Sequence, residues 1–554
     1  MADNQAQVPP NRKARENEEH ILPNNNLPLV FLGLMITTFL VRLSVATALP
    51  SIVAELGGGQ NYSWVENAYL ISTAALCPAY GKLSDVFGRK RILYPSIIIF
   101  LIGSALCGTA RSMNWLILSR ALQGVGGGAI LQLVQTVTSD IVPLEVRGTY
   151  GSLNAATWAV AGVLGPVIGG ALSDHLSWRW CFWINLPTGG LARLVLFFSL
   201  NLNPHQGKSF EEHVREFDFL GVFLLIGGVL SLMMGLSQSQ NGWNKPEIIG
   251  PLVSGVVALI VALWVEGQTT RSPIIPPRLF RTRTTAIILI AELFHSSAFY
   301  CVMFYIPVYF QILGASATKS GLLILPYSVC SAIASGGGAI VTSKMGDYRS
   351  VMWCSYALAA IGYGLMSMLN QRSSIAAQIS FSTIAGFGIG GAFTAPMIGL
   401  QAAMPQKDVS TCYATFMLFR YLGSTVGLSI GQTLWAGVVQ GRLSKISGLN
   451  LDISSAALAN SVRHIQSIEP EIVKQQVIRA YTKGISDIWL LFTPILCLCF
   501  VATLFMKKYS LKRKVLRLGD PVTEGREEVA VPTPEDLKDG SEGNAAIPLH
   551  TMNE

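Results

Sequence analysis

Gly81-Lys82-Leu83-Ser84-Asp85-Val86-Phe87-Gly88-Arg89-Lys90-Arg91 joins two long apolar blocks, 64–83 and 92–110. A block of this length suits an α-helix crossing ~30 Å of hydrocarbon. In lipid the backbone must satisfy itself, so such blocks are helices rather than open strands. Gly81 and Gly88 leave room for neighbouring helices and backbone to come close, and Asp85 can accept from helix N-terminal amides or from Arg89. Taken alone, Lys90 and Arg91 read as a solvated basic turn of the kind that stays on the cytoplasmic side.

Outward from this turn the pattern repeats. Fourteen apolar blocks run over 29–50, 64–83, 92–110, 114–138, 151–173, 180–200, 217–237, 248–266, 284–311, 320–343, 350–369, 374–400, 410–438 and 486–506. The 554 residues are 51% hydrophobic and 13% charged, against about 25% charged in soluble domains. The net charge of +8 does not point to nucleic acid, because the Lys and Arg residues gather in alternate short loops. These include Lys82 with Arg89–Arg91, Arg147, Arg278 to Arg283, Lys344 with Arg349, and Lys507 to Arg517. That bias, with an even number of spans, puts both termini in the cytoplasm. The first thirty residues are polar and carry no cleavable signal pattern.

The expected organisation is a cytoplasmic N-terminal tail (1–28), a first bundle (29–200), a linker with two extra helices (201–283) and a second bundle (284–506). A cytoplasmic tail (507–554) follows, acidic and unstructured from about 518. Residues 439–485 are expected as a long outer loop with an amphipathic stretch at Val473, Val477, Ile478 and Tyr481. The nine cysteines all lie in apolar blocks, with neither a disulfide framework nor metal-ligand spacing. Asn61-Tyr62-Ser63 is a glycosylation sequon in an outer loop, set so close to the next helix that an unmodified asparagine is expected.

Charges inside apolar blocks are functional candidates, since an Arg at mid-bilayer costs ~3 kcal/mol. Arg120 lies in Ser119-Arg120-Ala-Leu-Gln123-Gly124 and reads either as a buried functional charge or as a snorkelling one. Glu292 and His295 share one face of a helix. They suit a proton site or an internal packing pair, and with no further His or carboxylate cluster they do not form a metal site. Arg420 has the same two readings. Arg42 either binds an anionic ligand or pairs with Glu66, and Gln123, Tyr300 and Tyr305 are candidates to line a substrate cavity. In the fifth block, Gly162, Gly165, Pro166, Gly169 and Gly170 set a small-residue face beside a bend.

Together these strings carry a family resemblance. The 81–91 turn resembles the signature loop of the major facilitator superfamily, and Gly162 to Gly170 resembles the antiporter motif of its exporting branches. Trp178-Arg179-Trp180-Cys181-Phe182-Trp183-Ile184-Asn185-Leu186-Pro187 resembles the link between spans five and six of the fourteen-helix drug:proton antiporters, as in fungal toxin exporters. Pro307 to Gln311 and Arg420-Tyr421-Leu422-Gly423 with Gly427 and Gly431 are looser matches. The resemblance implies two six-helix bundles with two inserted helices, proton-coupled export of small organic molecules, and a role for Arg120 in coupling. It also implies an acid where this chain has Val41, which moves the search for a proton carrier to Glu292 and His295. The other readings are a proton symporter importing a nutrient or iron chelate, and a non-transporting sensor. No Ser/His or His/Asp constellation suggests an enzyme, and no cofactor is implied. The expected partners are the bilayer, a small molecule and protons. A monomer is expected in the plasma membrane, with the vacuolar membrane as the other location.

Overall fold

The computed structural model describes residues 19–23, 25–42, 52, 55–56, 62–144, 146–202, 217–238, 245–269, 275, 278–315, 317–405, 409–446, 465–466, 468–511 and 514–517. Asn61 lies outside them. The helices are α1 (Leu27–Arg42), α2 (Tyr62–Phe87), α3 (Arg89–Gly108), α4 (Met113–Ile141), α5 (Arg147–His175), α6 (Trp180–Ser199), α7 (Phe219–Gln238) and α8 (Pro246–Gln268). They continue with α9 (Arg283–Ile312), α10 (Ala317–Met345), α11 (Tyr348–Met366), α12 (Ile375–Ala403), α13 (Val409–Leu443) and α14 (Glu471–Leu504). Among the described residues, nine helices are long and apolar enough to cross a membrane. Several helices start on side-chain caps that take up free amides: Ser112 accepts from Trp115, Asp347 from Arg349 and Ser374 from Ala377.

The packing repeats with an offset of eight helices. In the first half α4 packs on α2 and α3, and α1 on α5 and α6; in the second, α12 packs on α10 and α11, and α9 on α13 and α14. Each half therefore buries its apolar faces in the same order. Close approach depends on residues without side chains. A Cβ on Gly124 would stand 2.5 Å from the Tyr69 carbonyl oxygen of α2, and one on Gly126 2.5 Å from the Phe100 nitrogen of α3. The glycines after Arg120 thus wedge α4 between its neighbours.

Helices α7 and α8 form a hairpin outside this repeat. α7 touches both α2 and α13, with Ser429 donating to the Leu236 carbonyl at 3.0 Å. α8 turns Val253, Val257, Ile260 and Trp264 outward.

The final helix begins at Glu471, so Val473 to Tyr481 do not belong to an outer loop as expected from sequence; Val477, Ile478 and Tyr481 are buried on it. Their apolar spacing was the start of the last helix, and an edge-on contact between Trp435 and Tyr481 fixes it against α13. The chain ends also meet. Glu19–Leu22 (β1) pairs in parallel with Lys514–Arg517 (β2) at one end of the bundle, called the terminal end below.

Candidate functional site

The quoted turn lies at the terminal end, between α2 and α3. Gly88 has φ +91 and ψ 143, a backbone region essentially reserved for glycine that costs other L-residues about 1–3 kcal/mol. The reversal it permits brings Arg89 back onto Asp85. Arg89 also donates from Nε to Asp140 at 3.0 Å and from Nη1 to Ser84 Oγ at 2.9 Å. Gly81 is buried below, its carbonyl accepting from Ser84 at 2.8 Å. One guanidinium therefore ties together α2, α3 and α4.

The two halves touch along two seams related by the eight-helix offset, α2 with α13 and α5 with α10. At the terminal end Thr411 donates to Asp85 at 3.4 Å, and the Gly148 amide donates to Ser343 Oγ at 3.1 Å. Arg147 adds a bond to Gln401 of α12 at 2.9 Å, and Gln401 one to Ser139 at 3.3 Å. The turn thus forms part of the closure between halves.

Above this closure is a small cavity of about 20 Å³ between the halves, with room for about one water. Thr38 of α1, Leu131 of α4, Asn154 of α5, Tyr300 of α9, and Tyr413 and Arg420 of α13 line it. Sequence reasoning missed Asn154, whose Oδ1 is buried without a partner. Of the residues expected from sequence to line a cavity, Tyr300 and Arg420 border this one. Tyr305 does not line this cavity: it is 1% exposed in the second core, bonded to Gln432 at 2.7 Å. Its aromatic ring was the only sequence signal, and packing on Trp435 accounts for it.

Arg420 leads inward to a buried cluster. Its Nε donates to Glu292 Oε1 at 2.5 Å and its Nη2 to the Phe393 carbonyl at 3.2 Å. Glu292 and His295 are both 0% exposed. His295 Nε2 faces the Ile389 carbonyl at 2.8 Å; a carbonyl only accepts, so Nε2 carries the hydrogen. His295 Nδ1 then faces Glu292 Oε2 at 3.7 Å, and neither atom has a hydrogen-bond partner. Two lone pairs held face to face in a dry interior repel, and a proton between them removes the conflict.

Arg120 occupies a different setting in the first half. It donates to the Val65 carbonyl at 3.0 Å, to Gln123 at 2.7 Å and to Glu66 at 3.0 Å, with its guanidinium 4.3 Å from the Tyr69 ring centre. Gln123 therefore serves this internal network instead of a cavity wall, donating onward to Ser104 at 2.8 Å. Asn185, from the Trp178–Pro187 string, also reaches Ser104. Glu66 pairs with Arg120; the side chain of Arg42, the partner expected from sequence, lies outside the described residues.

On α5, Gly165 and Gly169 are buried, and for Gly162, Pro166 and Gly170 only the helical backbone is described. Among the described residues no group of His, Cys, Asp and Glu could hold a metal.

With this geometry in place, the sequence profile of the Major Facilitator Superfamily matches residues 30–428. The chain belongs to that superfamily. It is similar to the efflux pump FUS6 of Gibberella fujikuroi, 33% identical over 87% of this chain and 89% of the relative. The efflux pump dotC of Dothistroma septosporum is 34% identical over 85% of this chain and 82% of that protein. Among solved structures, the human organic anion transporter MFSD10 shares the fold, with a TM-score of 0.55 at 15% identity, covering 85% of this chain and 98% of that one. The chain is accordingly a transporter and a multi-pass membrane protein.

Proposed function

We propose that this transporter exports small organic molecules in exchange for protons, by alternating access to the cavity between its halves. Export is supported by FUS6 and dotC, which are named efflux pumps and align over most of their length. The observation that carries the proton step is the Arg420–Glu292–His295 cluster: Arg420 lines the cavity, and the unpartnered Glu292 Oε2 and His295 Nδ1 behind it leave a proton's place between them. Ionisable groups buried inside spans are expensive and mark transport pathways.

The excess of Lys and Arg in the loops at the terminal end supports a cytoplasmic position for it, and an even number of spans would set both termini on that side. In this orientation the cavity is shut on the cytoplasmic side by the Asp85–Thr411 and Gly148–Ser343 contacts. A proton arriving from outside occupies the Glu292–His295 gap. Parting of the seams then gives the cavity access to the cytoplasm, where the proton leaves and substrate enters. Arg120, fully engaged in its own half, keeps α2 and α4 in register during this exchange.

The test is flux in proteoliposomes with an imposed pH gradient, across a panel of amphiphilic compounds. Substrate moving against the protons, with the movement abolished by a protonophore, is the expected result. Substrate moving with the protons would make the chain an importer and overturn the reading.

A further inference from the structure

A second and larger cavity lies at the terminal end, away from the one between the halves. It holds about 440 Å³ and is lined by Arg281, Thr282, Arg283, Thr284, Lys507 and Tyr509, a volume within the range of small-ligand sites. The first four residues come from the junction of a short helical turn (Arg278–Arg281) with α9, and the last two from the chain just beyond α14. Hydrogen bonds fix the arrangement. The Lys507 amide donates to Thr284 Oγ1 at 2.9 Å, and the Lys507 carbonyl accepts from the Tyr348 hydroxyl of α11 at 2.6 Å. The start of α9 and the end of α14 are thereby held side by side.

The lining supplies donors and no acid. Among the described residues Arg281, Arg283 and Lys507 form no ion pair, and Asp347, next to Tyr348 in sequence, is engaged by Arg349 and Lys508 instead. Thr284 is 1% exposed; its hydroxyl accepts the Lys507 bond, and no described atom accepts its hydrogen. A buried donor left unused is costly until an acceptor arrives. The Thr282 hydroxyl bonds Thr285 Oγ1 at 2.6 Å and does not cap α9, whose first turn contains no acidic residue. The positive end of that helix therefore adds to the three side-chain cations.

The surroundings of the cavity select the source of the anion. Phe280 directly precedes Arg281, and Leu504 and Phe505 lie just before Lys507; all three are exposed apolar side chains. In a membrane protein such residues face lipid tails, so the cations that follow them stand at headgroup level. A soluble anion uses the cations alone, whereas a lipid uses both surfaces. We propose that this cavity binds the phosphorylated headgroup of an anionic phospholipid, with the phosphate among Arg281, Arg283, Lys507 and the Thr284 hydroxyl and the acyl chains against Phe280 and Phe505. The assignment is independent of the proton site and of the direction of transport.

The experiment titrates the purified full-length protein in neutral detergent with dioctanoyl phosphatidylinositol monophosphate and counts bound lipid by native mass spectrometry. Dioctanoyl phosphatidylcholine and free inositol bisphosphate are titrated alongside. The phosphorylated lipid is expected to bind more tightly than either, by about tenfold or more. Arg283→Gln and Lys507→Gln should each weaken it about tenfold. Lys344→Gln removes an exposed cation at the same end but outside the cavity, and should change binding by less than about twofold. The replaced side chains are exposed; an unchanged Tm without lipid shows that a variant folds, and Arg281→Gln replaces any that does not. Equal weakening by all three substitutions would mean a diffuse surface field and overturn the cavity as the site. Free inositol bisphosphate binding as tightly as the lipid would overturn the lipid source in favour of a soluble anion. Phosphorylated lipid binding no better than phosphatidylcholine would overturn the site altogether.

Discussion

Two of the buried arginines, Arg120 in the first half and Arg420 in the second, pair with a glutamate, and those glutamates differ in one decisive respect. Arg120 meets Glu66, whose side chain is 43% exposed, and Arg420 meets Glu292, which is 0% exposed. Around Arg120 hydrogen bonds run through Glu66, Gln123, Ser104 and Asn185, and along this path Asn185 Oδ1 is the buried atom without a partner. Around Arg420 the far side of the carboxylate and the facing imidazole nitrogen are both left unmatched. A nearly completed network holds helices; an incomplete one has a place for a proton. On the proposed proton exchange, the first half has a largely mechanical role and the second carries the charge.

The largest expected effect separates these two arginines by stability. Arg420→Ala strands a dry carboxylate and should cost about 3–5 kcal/mol. Arg120→Ala leaves Glu66 in reach of water and Gln123 short of one partner, and should cost about 1–3 kcal/mol. Thermal unfolding of the purified variants measures both, and equal losses would erase the distinction.

A smaller effect compares the corresponding turns of the two halves. Gly88 between α2 and α3 and Gly346 between α10 and α11 both have positive φ, and neither has an atom within 4 Å of an added Cβ. Alanine at either position should therefore cost about 1–3 kcal/mol through backbone strain alone. The charges beside them differ. Asp85 and Arg89 reach Asp140 and, across the halves, Thr411, whereas Asp347 meets Arg349 and Lys508 within the second half. Flux should fall in Gly88→Ala and stay near wild type in Gly346→Ala once protein amounts are matched. Loss of flux in both would mean that each turn takes part in opening.

The smallest effect belongs to Asp347. Burial pushes its carboxyl up, but the hydrogen bonds and charge of Arg349, with Lys508, outweigh that and hold it below the usual range. A carboxyl depressed in the folded state adds stability that is present at neutral pH and is lost as pH falls through the carboxylate range. Asp347→Asn should thus lower Tm at neutral pH and converge on the wild type in acid. A constant difference across pH would remove charge from the account of this turn.

The helical architecture was legible because lipid demands long apolar helices, and the 81–91 turn named the superfamily. Glu292 and His295 were legible as a pair because three residues on a helix share a face. Their third member was not: Arg420 is 128 positions from Glu292, and only the packing of α9 on α13 unites them, helped by Gly427 lying against Ser297. The same limit hid the Arg120–Glu66 pair: the glycines following Arg120 bring α4 onto α2 and deliver Arg120 to Glu66, while the side chain of Arg42 lies outside the described residues. Aromatic residues misled for a related reason. Tyr300 and Tyr305 are five positions apart on one helix, so they face different ways, one into the cavity and one into the core.

The most direct test of the proton site compares two kinds of flux in His295→Gln proteoliposomes. Substrate-for-substrate exchange needs the cavity and the alternation but no net proton movement, whereas uphill accumulation driven by an imposed pH gradient needs both. The expected result is that exchange persists near the wild-type rate and gradient-driven accumulation is lost. Undiminished accumulation in a folded variant would contradict the assignment of the proton to the Glu292–His295 gap.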